Sequence, residues 1–370
     1  MASEASLGPP GAAAGVAEPG LAERYRRSVA FRAGIIVLLF VLALAAALAD
    51  LAVGSGTLSL SQVLATILHP STADPTDFAV VWQIRAPMTA IALITGCGLA
   101  LSGLLMQTVL NNPLADPFTL GVSSAAGFGA AIAIVFQASV LGVLGSWLPP
   151  ELSVALNAFV FSLGTVLLVS LLAARGGLGL ETVTLLGIAV HFTFSALLAF
   201  AQYVADPSQL QSLIFWLLGS LLRATWLKVE INGGLLLLVL PLVLFQAWAL
   251  TALRAFGDQA VVLGVRVVRL RLLALTAAAL LAGAATATIG VVGFIGLVAP
   301  HIARLMVGED QRFALPATAA CGALILTLAS LASKLILPGA VLPIGMVTAL
   351  LGVPFFLAQI LSRRGGKARA

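Results

Sequence analysis

The sequence is poor in charge. Asp, Glu, Lys and Arg together make up 9% of its 370 residues, hydrophobic residues make up 61%, and the mean hydropathy is +1.12. A water-soluble protein needs a polar surface that this composition does not supply. The low charge therefore excludes an ordinary soluble protein, including a soluble nucleic-acid binder despite the formal net charge of +5, and predicts a chain that lies in a lipid bilayer.

Cysteine, histidine and acidic residues are also scarce. The two cysteines, Cys97 and Cys321, stand far apart in apolar stretches, and only three histidines are present. A zinc site or a redox pair needs closely spaced ligands, so no metal or cofactor is expected. The apolar stretches hold almost none of the carboxylates that relay ions in secondary transporters. This scarcity of acidic residues disfavours a secondary transporter. An intramembrane enzyme is also disfavoured, because the sequence contains no nucleophile motif and no cluster of metal-ligating residues.

The chain lacks a nucleotide-binding loop. Its only Gly-Lys pair, Gly366-Lys367, has neither the upstream glycine nor the following Ser or Thr of a Walker A sequence. The chain therefore cannot bind ATP through such a loop, and any energy supply is expected to come from another subunit. The chain itself is predicted not to be an enzyme.

Long stretches without charge are abundant. A helix needs about 20 apolar residues to cross the hydrocarbon region, and such stretches fill most of residues 33–362. Two of them, Pro117–Pro150 and Leu272–Ala303, are longer than one helix requires and contain Gly/Pro interruptions. The sequence predicts an all-α polytopic membrane protein with about ten spans, a disordered cytoplasmic tail over residues 1–32 and a short tail over residues 363–370.

The basic residues predict the orientation. With ten spans and a cytoplasmic N-terminus, fifteen of the nineteen Lys and Arg residues fall on the cytoplasmic side, as the positive-inside rule requires. The four on the outer side are Arg85, Arg223, Lys228 and Lys334. If the chain had one span more or fewer, the cytoplasmic and outer sets of basic residues would no longer be separated in this way. Both chain ends are therefore predicted to be cytoplasmic, with the protein in the inner, or cytoplasmic, membrane.

Three polar segments rich in glycine and proline interrupt the apolar background. The first, Trp82–Gly127, contains a Pro-bounded cytoplasmic turn with the sequence NNPLADP. The second, Gly290–Arg312, contains GFIGLVAPHIAR, and the third, Leu342–Leu357, contains LPIGMVTALLGVP. In order and spacing these segments closely resemble the FecCD family of ABC importer permeases, over about residues 82–361.

The resemblance implies a fold, partners and a substrate class. The family's permeases have ten spans with two four-helix inverted repeats and work as homo- or heterodimers. Two ATP-binding subunits lie beneath the dimer, and a periplasmic or lipoprotein binding protein delivers the substrate from above. The resemblance implies import of a ferric siderophore-like chelate, and haem or cobalamin is the alternative within the family.

The resemblance also places the contact with the ATPase. Residues 253–268 resemble the family's cytoplasmic coupling segment, in which a short helix sits in a cleft of the ATPase. The alternative is an ordinary polar loop. The residues expected to carry the coupling contact are Gly257, Asp258, Gln259, Leu263 and Gly264.

Two outer residues match positions at which the family meets its binding protein. Arg85 occupies the position of the family's first arginine, and Lys334 stands where another basic residue is common. Such charges would chiefly steer the docking of an acidic partner. The family's second arginine is Met88 here, which predicts a sparser docking surface. Alternatively, both side chains snorkel at the membrane interface.

His191 lies in the fifth predicted span, which in this family lines the translocation path near the dimer axis. Relatives usually have a small residue at this position. A neutral imidazole can hydrogen-bond substrate, and a protonated one would attract an anionic chelate. The alternative is a histidine bonded to a neighbouring helix, so His191 is a candidate residue of the translocation path.

Overall fold

A computed structural model describes residues 21–54, 58–142, 147, 149–176, 180–337 and 339–367. Regular secondary structure in these residues is entirely helical, which confirms the predicted all-α class. In chain order the helices are α1 (Leu21–Ala52), α2 (Leu60–Leu68), α3 (Pro75–Phe78), α4 (Ala86–Val109), α5 (Val122–Ile134), α6 (Pro150–Gly176), α7 (Leu180–Val204), α8 (Pro207–Leu217), α9 (Trp226–Phe245), α10 (Ala247–Phe256), α11 (Val267–Ile289), α12 (Ile295–Val307), α13 (Gln311–Leu335) and α14 (Ile344–Lys367).

Ten of these helices account for the predicted spans. Seven helices are long and apolar enough to cross a membrane: α1, α4 with the preceding α3 and π-helical turn Ala79–Arg85, α6, α7, α9, α11 and α13. Three shorter apolar helices are α5, α12 and the first part of α14, Ile344–Leu357. Together they agree with the ten spans expected from hydropathy.

The predicted tails overlap helices α1 and α14. Helix α1 already begins at Leu21, and its first turns are supported by an ion pair between Glu23 and Arg27 (2.6 Å). At the other end of the chain α14 continues to Lys367. The remaining parts of the predicted tails, residues 1–20 and 368–370, lie outside the described residues.

The packing contains the predicted inverted repeat. Helices α4 to α7 form one unit and α11 to α14 the other, with α4 and α11 in contact at the centre. These two helices run antiparallel, because Gly98 lies beside Leu281 and Ser102 beside Ala278. Helix α4 packs on α13 as α11 packs on α6, and α5 packs on α6 as α12 packs on α13. Between the two units, the Ser102 hydroxyl on α4 donates to the Ala278 carbonyl on α11 (2.7 Å).

The second helix of each unit is short because the chain enters it through an irregular segment. Helix α5 follows Gly121 (φ 83°), and α12 follows Phe294 (φ 70°). The left-handed region suits glycine but costs a residue such as Phe294 about 1–3 kcal/mol. The Phe294 side chain packs so closely on Gly352 of α14 that a Cβ at Gly352 would lie 2.3 Å from it. Contact with α14 therefore helps to hold the strained entry to α12.

Glycines allow the central helices to touch through their backbones. Helix α4 crosses α12 at Gly103 and Gly296, and it crosses α13 at Gly96 and Gly322. A Cβ at Gly103 would lie only 1.9 Å from the Gly296 carbonyl oxygen. Small residues permit this approach between membrane helices, so the crossings depend on the absence of a side chain.

The bundle has two polar ends. At one end, Arg85 and Lys334 meet where α1 and α13 finish and α4 begins. At the other end, Arg254 and Glu309 meet where α10 and α12 finish. These are called the Arg85 end and the Arg254 end below.

Candidate functional site

The predicted coupling segment forms a tight turn at the Arg254 end. The 3-10 helix Gly257–Leu263 lies between α10 and α11. Its boundaries are Gly257 (φ 56°) and Gly264 (φ 82°), conformations that favour glycine. The Asp258 carboxylate forms an ion pair with Arg271 of α11 (2.8 Å). The turn is thereby held against the start of the next span.

The outer surface of this turn is apolar. Ala260 is fully buried and anchors the turn, whereas Val262 is 88% exposed and its neighbours Val261 and Leu263 are also exposed. Gln259 is exposed beside them. Exposed apolar side chains grouped on a turn are typical of a protein contact. The geometry supports an interaction role for the turn, while the coupling role itself stays a prediction.

An arginine network fixes the base of the turn. At the end of α10, Arg254 Nη1 donates to Asn111 Oδ1 (2.9 Å), and Arg254 Nε donates to Glu309 Oε2 (3.3 Å). Glu309 also lies 3.6 Å from Arg304 Nε of α12. The network joins the coupling turn to the loop after α4 and to the turn between α12 and α13. Sequence analysis missed it, and the available signal was an arginine shortly before Gly257.

Arg85 and Lys334, the predicted docking residues, are buried around Asp50. Lys334 Nζ lies 2.8 Å from Asp50 Oδ1, and Thr89 donates to the other carboxylate oxygen. Arg85, which is 4% exposed, donates to two carbonyls at the end of α1 (3.0 and 3.3 Å). These contacts tie α1 to α4 and α13. In this arrangement neither cation is presented to a partner, and their docking role stays a prediction.

His191 lies on α7 and is half-buried. A Cβ at Gly121 would lie 3.1 Å from the His191 backbone nitrogen, so the chain passes close to the entry of α5. The His191 ring centroid is 5.6 Å from that of Phe192. Its Nδ1 is buried without a hydrogen-bond partner among the described residues. The alternative role of His191 was a hydrogen bond to a neighbouring helix, and Nδ1 makes no such bond within the described residues. A role of His191 in the translocation path stays a prediction.

Asp116 is a buried carboxylate that sequence analysis placed in a cytoplasmic turn. It is 3% exposed, and its Oδ1 accepts from the Phe118 N–H (3.0 Å). Its Oδ2 faces Gly296, lying 3.0 Å from where a Cβ would stand, and has no hydrogen-bond partner among the described residues. Burial raises the pKa of Asp116 to about 6, and the Phe118 N–H opposes that rise. Asp116 thus lies between the entries of α5 and α12.

Comparison with known proteins finds relatives that agree with one another in being membrane permeases of transport systems. Residues 37–362 match the FecCD transport family. The hemin transport system permease protein HmuU of Yersinia pestis is 38% identical over 335 residues, covering 89% of this chain and 95% of the relative. The vitamin B12 import system permease protein BtuC of Salmonella arizonae is 36% identical over 315 residues, covering 82% and 93%.

A solved structure gives the same result at the level of the fold. An inward-facing conformation of a metal-chelate type ABC transporter aligns with a TM-score of 0.77 at 31% identity, covering 89% of this chain and 99% of that one. The family match spans all ten candidate spans except the start of α1. The resemblance seen in the ordered Gly/Pro segments is therefore confirmed, and the chain belongs to the FecCD transport family, with the fold of its permeases.

Proposed function

We propose that the chain is the membrane-spanning permease subunit of an ATP-driven importer of iron-siderophore chelates. The observation that carries the proposal is the Gly257–Leu263 turn, which presents apolar side chains at the Arg254 end of a chain without a Walker A sequence. The proposed partners at this turn are ATP-binding subunits, one for each of two permeases. Closure of the ATPase pair would move the turn, and the Arg254 network would carry that movement into α4, α12 and α13.

The basic residues support a cytoplasmic position for the Arg254 end. At least six arginines lie there, Arg254, Arg266, Arg269, Arg271, Arg304 and Arg312, whereas the Arg85 end holds four cations: Arg85 and Lys334, whose side chains are buried, Lys228, which is half-buried, and Arg223, which is exposed. Cytoplasmic loops carry the excess of Lys and Arg. We therefore propose that the protein lies in the cytoplasmic, or inner, membrane with both chain ends inside. The Arg85 end then faces the binding protein.

The substrate path is proposed to lie between two permeases, along α7 and α14. Large apolar side chains of both helices are exposed in the single chain, including Phe192 (68%), Tyr203 (88%) and Leu350 (69%). A second permease opposite these helices would enclose a mostly apolar path, with His191 as one of its few polar groups. A lining with few strong contacts suits a substrate that must also leave.

Two of the relatives and the matched solved structure support a metal chelate as substrate. HmuU is named for hemin and BtuC for vitamin B12, and the matched structure is of a metal-chelate type transporter. All of these cargoes hold a metal in a bulky organic ligand. Within this class we propose a ferric siderophore. Haem is the second candidate, favoured by the 38% identity with HmuU, and cobalamin is the third.

Uptake by the assembled transporter tests the function. Proteoliposomes would contain the full chain, its ATPase and its binding protein, and would receive radiolabelled ferric siderophore, haem or cobalamin. The expected result is ATP-dependent accumulation of iron from the siderophore, exceeding that of the other two. Preferential uptake of haem or cobalamin would replace the substrate while keeping the importer role. Failure to accumulate all three would reject the importer role.

Val262→Asp tests the coupling turn. Val262 is 88% exposed, so the substitution leaves the fold unchanged. It places an unpaired carboxylate in the proposed apolar contact, where burial of a charge costs several kcal/mol, and uptake is expected to fall by about tenfold or more. Val262→Thr keeps the shape without a charge and should retain most uptake. Equal uptake by both variants would refute the coupling role, and equal thermal melting checks that both remain folded.

A further inference from the structure

A cavity at the Arg85 end has no role in the proposed coupling or path. Its volume is about 970 Å³, at the upper end of the range for small-molecule sites. Its walls come from the end of α5, the start of α6, helix α8, the start of α9 and the end of α11. The cavity is therefore lined by one chain, and neither α7 nor α14, the helices of the proposed path, contributes a lining residue among those described.

Two segments that line this cavity are tied to neighbouring helices by hydrogen bonds. On one side, the fully buried Asn157 donates from Nδ2 to the Ala138 carbonyl (2.9 Å) and accepts from the Val140 N–H at Oδ1 (3.0 Å). On the other side, the Ser220 N–H donates to the Ile289 carbonyl (2.8 Å). The Asn157 side chain and one backbone hydrogen bond thus hold the two lining segments, as expected of a preformed site.

Two cations face the cavity. Lys228 Nζ donates to the Arg223 carbonyl (2.8 Å), which leaves two of its three N–H groups free within the described part of the chain. The Arg223 side chain is exposed. Glu151, on the rim, lies close enough to Lys228 to interact with its charge. Because Arg85 and Lys334 are buried, Arg223 and Lys228 are the accessible Lys and Arg side chains at this end among the described residues.

The remaining lining suits an organic ligand with a polar periphery. Phe215 is half-exposed and Trp216 forms an apolar wall. Hydroxyl groups come from four different segments of the lining, on Ser139, Ser153, Ser212 and Ser220. A lipid acyl chain would lie poorly against dispersed hydroxyls, whereas a chelate with oxygen atoms around its surface would contact them. The excess of cations favours a negative charge on that ligand.

We propose that this cavity is a binding site for an anionic, carboxylate-bearing metal chelate on the outer side of each permease. The inference rests on the proposed function, since it assigns the chelate to the importer's cargo class. Arg223 and Lys228 would bind the carboxylates, and Phe215 and Trp216 would contact the organic part. The site would raise the local concentration of cargo beside the path without lying in it.

Equilibrium dialysis of radiolabelled ferric citrate tests the site, with the full chain in phosphatidylcholine nanodiscs. The Arg223→Gln/Lys228→Gln variant is expected to bind about tenfold more weakly, because two charge-assisted contacts are lost. Arg223→Lys/Lys228→Arg keeps both charges and should bind like the unaltered chain. Arg269→Gln removes an exposed charge at the opposite end and should have no effect. A neutral ferric trihydroxamate is expected to bind about tenfold more weakly than ferric citrate.

Three results would overturn the site: no binding by the unaltered chain, equal binding by the Gln/Gln variant, or loss of binding in phosphatidylglycerol nanodiscs to the level of that variant. The last result would assign the two cations to a lipid headgroup. Uptake in proteoliposomes separates the inference from the function. Normal uptake with any of these results rejects the cavity site alone, whereas absent uptake with charge-dependent binding intact rejects the importer role alone.

Discussion

Asp50→Asn is expected to lower the free energy of unfolding by about 3–5 kcal/mol, because it leaves buried cations without a counter-charge. Asp50 is 0% exposed, and its partner Lys334 has a side chain that is 4% exposed. Arg85 is equally buried beside them, and its hydrogen bonds within the described residues go to two carbonyls at the end of α1. Neutralising the one acid therefore strands two positive charges. Chemical unfolding of the purified chain in detergent, followed by circular dichroism, measures the loss.

Companion variants separate the buried pair from a general effect of charge. Lys334→Met leaves Asp50 with the Thr89 hydroxyl and the nearby Arg85, so the loss should be smaller than for Asp50→Asn. The Asp50→Asn/Lys334→Met double variant should recover much of the unfolding free energy that Asp50→Asn loses. Arg271→Met breaks a pair whose other member, Asp258, is 76% exposed, and should cost about 1 kcal/mol or less. Unchanged unfolding of Asp50→Asn would show that the buried cluster does not hold α1.

The ion cluster marks a limit of sequence reasoning about this fold. The spans were predictable because each must be apolar along its own length, whatever its neighbours are. The contact between Lys334 and Asp50 joins residues 284 positions apart, and no local pattern states which charges meet. Arg85 and Lys334 looked like exposed docking residues because they stand at span ends. Only the packing of α1 against α4 and α13 places them in the interior.

The candidate site also has parts that the sequence predicts and parts that only the structure shows. The coupling turn was located by its ordered motif, and its two bounding glycines have the left-handed conformations that such a turn requires. The Arg254 network and the cavity beside Arg223 bring together three or more elements distant in sequence. Asp116 gave a partial signal, as an aspartate before a proline at a helix start. Its burial against α12 depends on the second unit of the repeat.

Gly103→Ala is expected to prevent α4 from packing on α12 and to leave little folded protein. The added Cβ would lie 1.9 Å from the Gly296 carbonyl oxygen and 2.5 Å from its Cα. These are backbone atoms, so no side-chain rotation relieves the overlap. Overpacking an ordinary core costs about 1–3 kcal/mol. A clash between two helix backbones exceeds that range, because the helices must separate and expose the buried Asp116 that lies beside Gly296.

Gly98→Ala is the matched control on the same helix. Its Cβ would lie 3.7 Å from Leu281 Cβ, an ordinary contact, and alanine is favoured over glycine in a helix interior by about 1 kcal/mol. This variant should fold as well as the unaltered chain or better, so the two substitutions have opposite expected signs. Size-exclusion chromatography of fluorescent fusions reports the yield of folded protein. A normal yield of Gly103→Ala would contradict the close crossing, and equal losses in both variants would trace the effect to α4 itself instead of its contact with α12.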